Sequence, residues 1–386
     1  MILIENARIF TMEDELVENG SILIEDGKIK AVGENIDRPE GAELIDAGGR
    51  MLTPGFVDAH CHLGMFEDAI GFEGDDGNEA TDPVTPELRA IDAINPMDKT
   101  FQEAYQGGVT TAVTGPGSAN VIGGNFSAIK TYGHRIDDMI LKTPVAMKIA
   151  FGENPKRVYD GKDETPSTRM ATAAILRETL FKAKDYIEKK EDEDSSKHPD
   201  FDMKMEALIP VIKKEIPLKA HAHRADDIFT AIRIAREFDL HITLDHCTEG
   251  HLIADDLAKE GLNAIVGPSF GERSKFELKN LTFKTPKVLI EKGVKVAITT
   301  DSPVTPLEYL ALCAGLAHRA GLDEMEALKA ITINPAEIIG IDDRVGSIKA
   351  GKDADIVIFD KNPLKNIDSQ TFMTIINGKV VYNRED

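Results

Sequence analysis

The sequence contains no tryptophan, and its 386 residues include only three cysteines, Cys61, Cys247 and Cys313. Three cysteines cannot form a closed disulfide framework, and so few are typical of a reducing cytoplasm. No run of about 18 apolar residues is present, which argues against a membrane-spanning helix. Residues 1–6 lack both a basic start and a long apolar run, so no secretory signal is predicted. We therefore expect a cytoplasmic protein with no membrane partner.

Basic residues are scarce relative to acidic ones. The 45 Lys and Arg residues against 67 Asp and Glu residues give a formal net charge of −22. Nucleic acids and anionic membranes are bound by clustered Lys and Arg, so neither is an expected partner. Hydrophobic residues make up 42% of the chain, which is enough for a large core. The expected partner is a small-molecule substrate, and a homo-oligomer is left open.

Both ends of the chain are rich in β-forming residues. The first 51 residues contain the hairpin pair Asp26-Gly27, and the last 44 contain the hairpin pair Asn377-Gly378. Such pairs between apolar segments are strong signals for β-hairpins. Two β-rich ends around a different middle predict one small β-domain, built from residues 1–51 plus 343–386.

The middle of the chain, residues 52–342, alternates apolar strands with helical patterns such as 168–190 and 225–238. The eight strand candidates are 56–62, 109–114, 126–131, 145–151, 218–223, 240–246, 263–268 and 295–301. Eight parallel-type strands with intervening helices predict an α/β fold, the (β/α)8 barrel. A doubly wound sheet is the rival, and it is disfavoured because no Gly-rich dinucleotide loop follows the first strand.

Histidines lie at the C-terminal ends of several of these strands. His60 and His62 follow the apolar run 54–57, and residues at i and i+2 of a strand point to the same side. His221, His246 and Asp301 lie at the ends of later strands, and the C-terminal strand ends of a barrel meet at one mouth. The five side chains therefore predict a site for one or two divalent metal ions. Zn²⁺ is the default for imidazole-rich sites, with Fe²⁺, Mn²⁺ and Ni²⁺ left open.

The fourth strand offers two candidates for a group that bridges two metals. Glu153 lies at the strand end, where a carboxylate is within reach of the mouth. Lys148 lies five residues earlier, where a long side chain is needed, and it supplies oxygens only if CO₂ carboxylates it. Glu153 is the favoured candidate, and the alternative is that it caps the next turn.

Substrate-binding candidates follow the strand ends. His223, Arg224, Arg157 and Tyr159 are placed to bind a carboxylate, and the guanidinium group of arginine matches carboxylate geometry. A surface salt bridge is the competing role for each of them. The long connection at 64–98 is a further candidate, because such a loop in a compact domain is commonly a lid or a binding loop.

Together these residues resemble the amidohydrolase superfamily of metal-dependent hydrolases. The resemblance rests on the run 54–62, on His221, His246 and Asp301, and on the C-terminal segments 334–336 and 346–357. The layout is most similar to the imidazolonepropionase and Xaa-Pro dipeptidase branch. Imidazolonepropionases carry an acidic residue shortly after the fifth-strand histidine, whereas this chain has His223-Arg224.

The resemblance implies a (β/α)8 barrel with a β-sandwich formed by both termini. It implies that His60 and His62 bind one metal, that His221 and His246 bind a second, and that Asp301 is both ligand and proton shuttle. A metal lowers the pKa of bound water to about 7, so a hydroxide is available at neutral pH. We expect hydrolysis of an amide, peptide-like or cyclic-amide C–N bond. The alternatives are a mononuclear deaminase of a heterocyclic amine and a scaffold protein that has lost catalysis.

Overall fold

The computed structural model describes residues 1–13, 16–68 and 70–384. Five strands begin the chain: β1 (Ile2–Phe10), β2 (Leu16–Glu25), β3 (Lys28–Gly33), β4 (Glu43–Asp46) and β5 (Met51–Pro54). Eight more form the middle: β6 (Phe56–Cys61), β7 (Val109–Thr114), β8 (Ile122–Lys130), β9 (Ile140–Ala150), β10 (Leu218–Ala222), β11 (Ile242–His246), β12 (Ala264–Val266) and β13 (Val296–Ile298). Three strands end it: β14 (Ile356–Phe359), β15 (Thr371–Ile376) and β16 (Lys379–Asn383).

The first and last groups of strands form one sheet. Its order is β16-β15-β14-β5-β1-β2-β3, and β4 pairs with β1. The join between the two ends of the chain is the antiparallel pairing of β14 with β5, in which Ile356 lies opposite Pro54. Both predicted hairpins are present, since β2 pairs with β3 and β15 pairs with β16. The terminal β-sandwich is therefore built from both ends of the chain, and residues 385–386 lie outside the described residues.

The eight middle strands follow one another in sequence order around a nearly closed barrel. Seven of them run parallel, but β8 is antiparallel to both β7 and β9. The expectation of eight parallel-type strands is therefore wrong for this one strand. Only residues 115–121 join β7 to β8, and only residues 131–139 join β8 to β9. A parallel crossover needs about a dozen residues or more, so these short connections form hairpins instead.

Among the described strands, β6 and β13 are not joined by a backbone ladder, and side-chain contacts close the barrel between them. The buried carboxylate of Asp58 accepts hydrogen bonds from the hydroxyls of Thr299 (2.5 Å) and Thr300 (2.7 Å) and from the Thr300 backbone N–H (2.9 Å). A backbone bond from His62 N–H to the Ser302 carbonyl (2.8 Å) lies just above it. These contacts fix the end of β6, which carries two predicted ligands, against the end of β13, which carries a third.

Ten α-helices occur in the described residues: α1 (Lys99–Gln106), α2 (Glu153–Asp160), α3 (Arg169–Lys190), α4 (Met203–Ile212), α5 (Ala225–Phe238), α6 (Ala254–Glu260), α7 (Thr285–Glu291), α8 (Leu310–Arg319), α9 (Glu324–Lys329) and α10 (Ile333–Ile339). The predictions at 168–190 and 225–238 are confirmed by α3 and α5. The hydroxyl of Thr168 caps α3 by accepting the Ala171 N–H, which explains why the helix begins there. No helix in the described part of the chain is long and apolar enough to cross a membrane.

Buried charges join the barrel to the terminal sheet. The ammonium of Lys130, at the end of β8, lies 3.0 Å from Asp353 and forms a second ion pair with Asp355. Arg344 also pairs with Asp353, at 2.8 Å. The network therefore fixes the terminal sheet against the end of the barrel opposite the predicted ligands.

Candidate metal centre

The strand ends bring the five predicted ligands to one place. His60 and His62 flank Cys61 in a wholly buried segment, and Cys61 points away from them toward the Val113 carbonyl, 3.6 Å from its sulfur. This is the alternation expected of a strand, with both imidazoles on the interior side. The rings of His60 and His246 lie 4.9 Å apart, and those of His221 and His246 lie 4.4 Å apart.

The first ligand group consists of His60, His62 and Asp301. One carboxylate oxygen of Asp301, Oδ1, lies 3.3 Å from Nε2 of His60 and 3.2 Å from Nε2 of His62. The donor atoms of these three residues lie within 4.8 Å of one another. Two imidazoles and a carboxylate at this spacing are a donor set that suits Zn²⁺ and similar divalent ions.

The second ligand group consists of His221, His223 and His246, whose donor atoms also lie within 4.8 Å of one another. The ring of His223 is 4.7 Å from that of His221 and stacks on that of His246 at 4.7 Å. The sequence predicts that His223 binds substrate, whereas the geometry brings it together with His221 and His246. We call the two sets the first triad and the second triad.

Backbone carbonyls orient two of the rings, and a carboxylate lies close to Nδ1 of a third. Nδ1 of His62 lies 2.6 Å from the Gly115 carbonyl, and Nδ1 of His246 lies 2.8 Å from the Gly267 carbonyl. Nδ1 of His60 lies 2.9 Å from the carboxylate of Asp245. An acceptor at Nδ1 keeps the proton on that nitrogen and leaves Nε2 free as a metal ligand.

The electrostatics of the site favour metal-binding protonation states. Burial lowers the pKa of His60, His221 and His223, and it lowers the pKa of His246 to about 3, so the imidazoles are neutral at pH 7. Burial alone would raise the pKa of Asp301, but the neighbouring histidines outweigh this and hold it well below its usual value. Neutral imidazole and ionised carboxylate are the forms that bind metals.

Several buried polar atoms at the site lack a hydrogen-bond partner among the described residues, namely Nδ1 of His221, Nε2 of His246 and Oδ1 of Asp301. Leaving such atoms unpaired costs free energy, about 1–3 kcal/mol each. His246 and Asp301 also adopt left-handed backbone angles, with φ of 69° and 53°. Strain of this kind is concentrated at functional sites. A divalent cation would satisfy the unpaired atoms, so the residues fit a metal centre.

The two candidates for a bridging group occupy different positions. Lys148 lies on β9 and is fully buried, with its Nζ 3.4 Å from Nε2 of His60. Burial lowers the pKa of its ammonium to about 8. Glu153 is the first residue of α2, and its backbone N–H donates to the carboxylate of Glu277 at 3.0 Å. No contact between the Glu153 carboxylate and either triad occurs in the described structure.

A cavity of about 510 Å³ opens above the triads. Its lining includes His62, His221, His223 and Asp301, together with Phe66, Asn78, Gly117, Ser118, Asn154, Pro268, Gly271, Glu272, Ser274, Lys275, Leu278, Leu281, Pro303 and Val304. Phe66 and Asn78 come from the 64–98 connection, of which residue 69 lies outside the described residues. Segments that follow six of the barrel strands, β6, β7, β9, β10, β12 and β13, therefore build the mouth, as is usual for barrel enzymes.

Of the four substrate-binding candidates, only His223 lines this cavity. The guanidinium of Arg224 pairs with Asp226 at 2.8 Å, and the side chain of Arg157 is exposed. Tyr159 is buried, and its hydroxyl donates to Asn120 at 2.6 Å. The structure thus does not bring Arg224, Arg157 or Tyr159 to the cavity.

Residues 51–381 match the model of the amidohydrolase family. The chain belongs to the amidohydrolase family. It is 32% identical to amidohydrolase tasK of Hapsidospora irregularis over 91% of its own length, but it spans only 38% of that protein. It is 28% identical to an imidazolonepropionase of Mesorhizobium japonicum, covering 92% of this chain and 91% of the relative. A crystal structure of an amidohydrolase from Thermotoga maritima superposes with a TM-score of 0.96 and 45% identity, covering 100% of both chains.

Amidohydrolases generally bind divalent metals and act on small molecules, and the two triads of this family member are suited to hold a metal. A buried ion pair behind the first triad was not predicted from the sequence. It consists of Lys219 and Asp245, whose charged groups lie 3.0 Å apart with no solvent exposure. A signal was available, because Lys219 lies two residues before His221 on the same strand and therefore faces the barrel interior. The cavity residues Ser118, Asn154 and Lys275 gave no such signal, since they lie outside the strand pattern.

Proposed function

We propose that this amidohydrolase is a binuclear metal-dependent hydrolase that cleaves a C–N bond of a small molecule. The observation that carries the proposal is the pair of triads on the floor of one cavity, with Lys148 buried beside the first. The scaffold alternative is disfavoured because all five predicted ligand positions hold residues able to bind a metal.

His60, His62 and Asp301 would hold one metal, and His221 and His246 would hold the other, with His223 as a further nitrogen donor beside them. Zn²⁺ suits this nitrogen-rich set. When bound, divalent metal supplies Lewis acidity and makes water a nucleophile near neutral pH. This role matches the anionic state of Asp301 and the neutral state of His60, His221, His223 and His246.

Lys148 is the better candidate for the bridge, because its Nζ lies 3.4 Å from a ligand of the first triad. Addition of CO₂ to its neutral amine forms a C–N bond and releases one proton, which leaves a carbamate with two oxygen donors. Glu153 instead begins a helix whose first N–H is bound to Glu277. The favoured bridge in the sequence analysis, Glu153, is therefore replaced by Lys148 in this proposal.

Asp301 is the proposed proton shuttle. Its carboxylate is in contact with both histidines of the first triad and also lines the cavity, where a substrate would lie. From that position Asp301 can accept a proton from the attacking water and deliver it to the leaving nitrogen. The same group thus serves both halves of the hydrolysis.

A panel of four substrate types, assayed on metal-replete protein, tests the proposal. The panel comprises N-acyl amino acids, dipeptides, cyclic amides and heterocyclic amines. Release of an amine or opening of a ring would support C–N hydrolysis of an amide, whereas release of ammonia from a heterocycle would identify the deaminase alternative. An imidazolone belongs in the panel because a relative is named imidazolonepropionase. Turnover of no member by protein with full metal occupancy would contradict the proposal.

A further inference from the structure

The cavity above the triads has a single Lys or Arg among its described lining residues, Lys275. Lys275 lies in the connection after β12, and its side chain is 20% exposed. Its neighbours Arg273 and Lys279 are directed elsewhere, since Arg273 donates to the Leu281 carbonyl and the Lys279 ammonium lies 4.5 Å from the ring centre of Phe276. The chain has a net charge of −22, so a lysine at this cavity stands out as a group that could bind the anionic part of a substrate.

One amide group holds Lys275 in place together with Ser118. The side-chain oxygen of Asn154 accepts a hydrogen bond from the Lys275 ammonium at 2.7 Å. The side-chain nitrogen of the same Asn154 donates to the hydroxyl of Ser118 at 2.7 Å. The three residues come from three separate connections, so the bridge exists only in the folded cavity. We call Ser118, Asn154 and Lys275 the polar bridge.

The polar bridge contains N–H and O–H donors that are not used within the bridge. The ammonium of Lys275 has three N–H groups, of which one donates to Asn154 and a second makes a long hydrogen bond of 3.5 Å to Glu277, so the third has no acceptor among the described residues. The other oxygen of Glu277 already accepts the Glu153 N–H. The hydroxyl of Ser118 accepts from Asn154 and keeps its own hydrogen to donate. Two donors on one cavity wall match the two oxygens of a carboxylate.

The polar bridge is adjacent to the second triad. The side-chain nitrogen of Asn154 lies 3.4 Å from Nε2 of His221, so Lys275 is separated from a predicted metal ligand by one side chain. An acidic group bound there would lie close to the bond that is cleaved. Apolar lining residues such as Phe66, Leu278 and Leu281 leave room for a hydrophobic substituent.

We propose that Lys275 and Ser118 bind the carboxylate of the substrate, and that the substrate is a small anionic amide with its carboxylate next to the scissile bond, such as an N-acyl amino acid. The inference rests on the proposed function, because it concerns the same cavity. Lys275 is thus a specificity-determining residue, and Asn154 is a positioning residue that holds the two donors.

Calorimetric titration of the metal-loaded full chain with two matched probes tests this assignment. One probe is the monohydroxamate of succinic acid, and the other is the same molecule with its carboxylate replaced by a carboxamide. The hydroxamate group chelates divalent metals in both, so the pair differs only at the end that Lys275 would bind. The variants are Lys275→Met, the charge-preserving Lys275→Arg and the matched control Lys279→Met, each checked for metal content and thermal unfolding.

We expect the carboxylate probe to bind the wild type about 10- to 100-fold more tightly than the carboxamide probe, as for one charge-assisted hydrogen bond. Lys275→Met should remove this preference, Lys275→Arg should keep most of it, and Lys279→Met should leave it unchanged. Equal binding of both probes by the wild type, or equal weakening of both by Lys275→Met, would overturn the inference alone. Failure of the wild type to take up metal would overturn the proposed function and this inference with it.

Discussion

Asp245 places a carboxylate oxygen 2.9 Å from Nδ1 of His60, and its other oxygen lies 3.0 Å from the buried ammonium of Lys219. The pair joins the neighbouring strands β10 and β11 to β6 across the barrel interior. Burial alone would raise the pKa of Asp245, but Lys219 and His60 outweigh it and lower the pKa, so the group is an anion. An anion at Nδ1 favours the His60 tautomer with its proton on that nitrogen, which leaves Nε2 free for the proposed metal.

Replacing Asp245 by Asn should weaken metal binding at the first triad about 10- to 100-fold, as expected when the partner of a ligating histidine is lost. It should also destabilise the fold by about 3–5 kcal/mol, because Lys219 is left buried without a counter-ion. Metal titration and urea unfolding measure the two effects.

The double variant Lys219→Met/Asp245→Leu separates positioning from stability. An apolar pair removes the unpaired ammonium, so the free energy of unfolding should recover relative to Asp245→Asn. Metal affinity should remain low, because no acceptor is restored at Nδ1 of His60. Recovery of affinity together with stability would show that Asp245 acts only through the fold.

Asp301→Asn should keep the fold and the bound metal but lose most of the turnover. The amide keeps the shape and one oxygen ligand but cannot accept a proton, and general acid–base catalysis contributes about 10²- to 10⁴-fold. The ratio of kcat between variant and wild type at equal metal content is the measurement. Turnover close to that of the wild type would exclude Asp301 as the shuttle.

The carboxylate of Asp353 should make the free energy of unfolding depend on pH in the acid range. Burial alone would raise its pKa, but the hydrogen bond from Arg344 and the charge of Lys130 lower it to about 2. A carboxyl whose folded pKa is depressed stabilises the protein fully above its unfolded pKa, near 3.9, and loses that contribution as pH falls toward its folded pKa. The difference between these two pKa values corresponds to about 2–3 kcal/mol of folding free energy at pH 7.

The test compares wild type with Asp353→Asn in urea unfolding at pH 7, pH 4 and pH 2.5. The wild type should be more stable at pH 7, and its advantage should shrink between pH 4 and pH 2.5. An advantage that is constant over this range would mean that the Asp353 charge contributes nothing to stability.

The strand pattern predicted the barrel and the position of the histidines at its mouth, because both follow from local properties of the sequence. A buried strand is visible as an apolar run, and a histidine at its end is placed at the mouth by the barrel topology. The direction of β8 was not visible, since an apolar run reads the same in either direction. Its orientation follows from the short connections on either side.

The strand pattern of the sequence also does not predict the left-handed backbone conformation of His246. Asp245 and His246 are adjacent in β11, so strict alternation would send them to opposite faces. Both contact His60 in the structure, and the φ of 69° at His246 is the local break in alternation. The proposed roles of Lys148 and Lys275 depend on distances between separate elements, which a strand pattern does not contain.

Metal content per chain is the most direct measurement of the central claim, that two triads and Lys148 form a binuclear centre. Wild type, Lys148→Met and Glu153→Gln would be reconstituted with Zn²⁺, with and without bicarbonate, and assayed by elemental analysis. The account predicts about two metals per chain for wild type and Glu153→Gln with bicarbonate, and about one for Lys148→Met, because a bridging oxygen ligand is lost. Two metals in Lys148→Met, or a single metal in bicarbonate-loaded wild type, would contradict it.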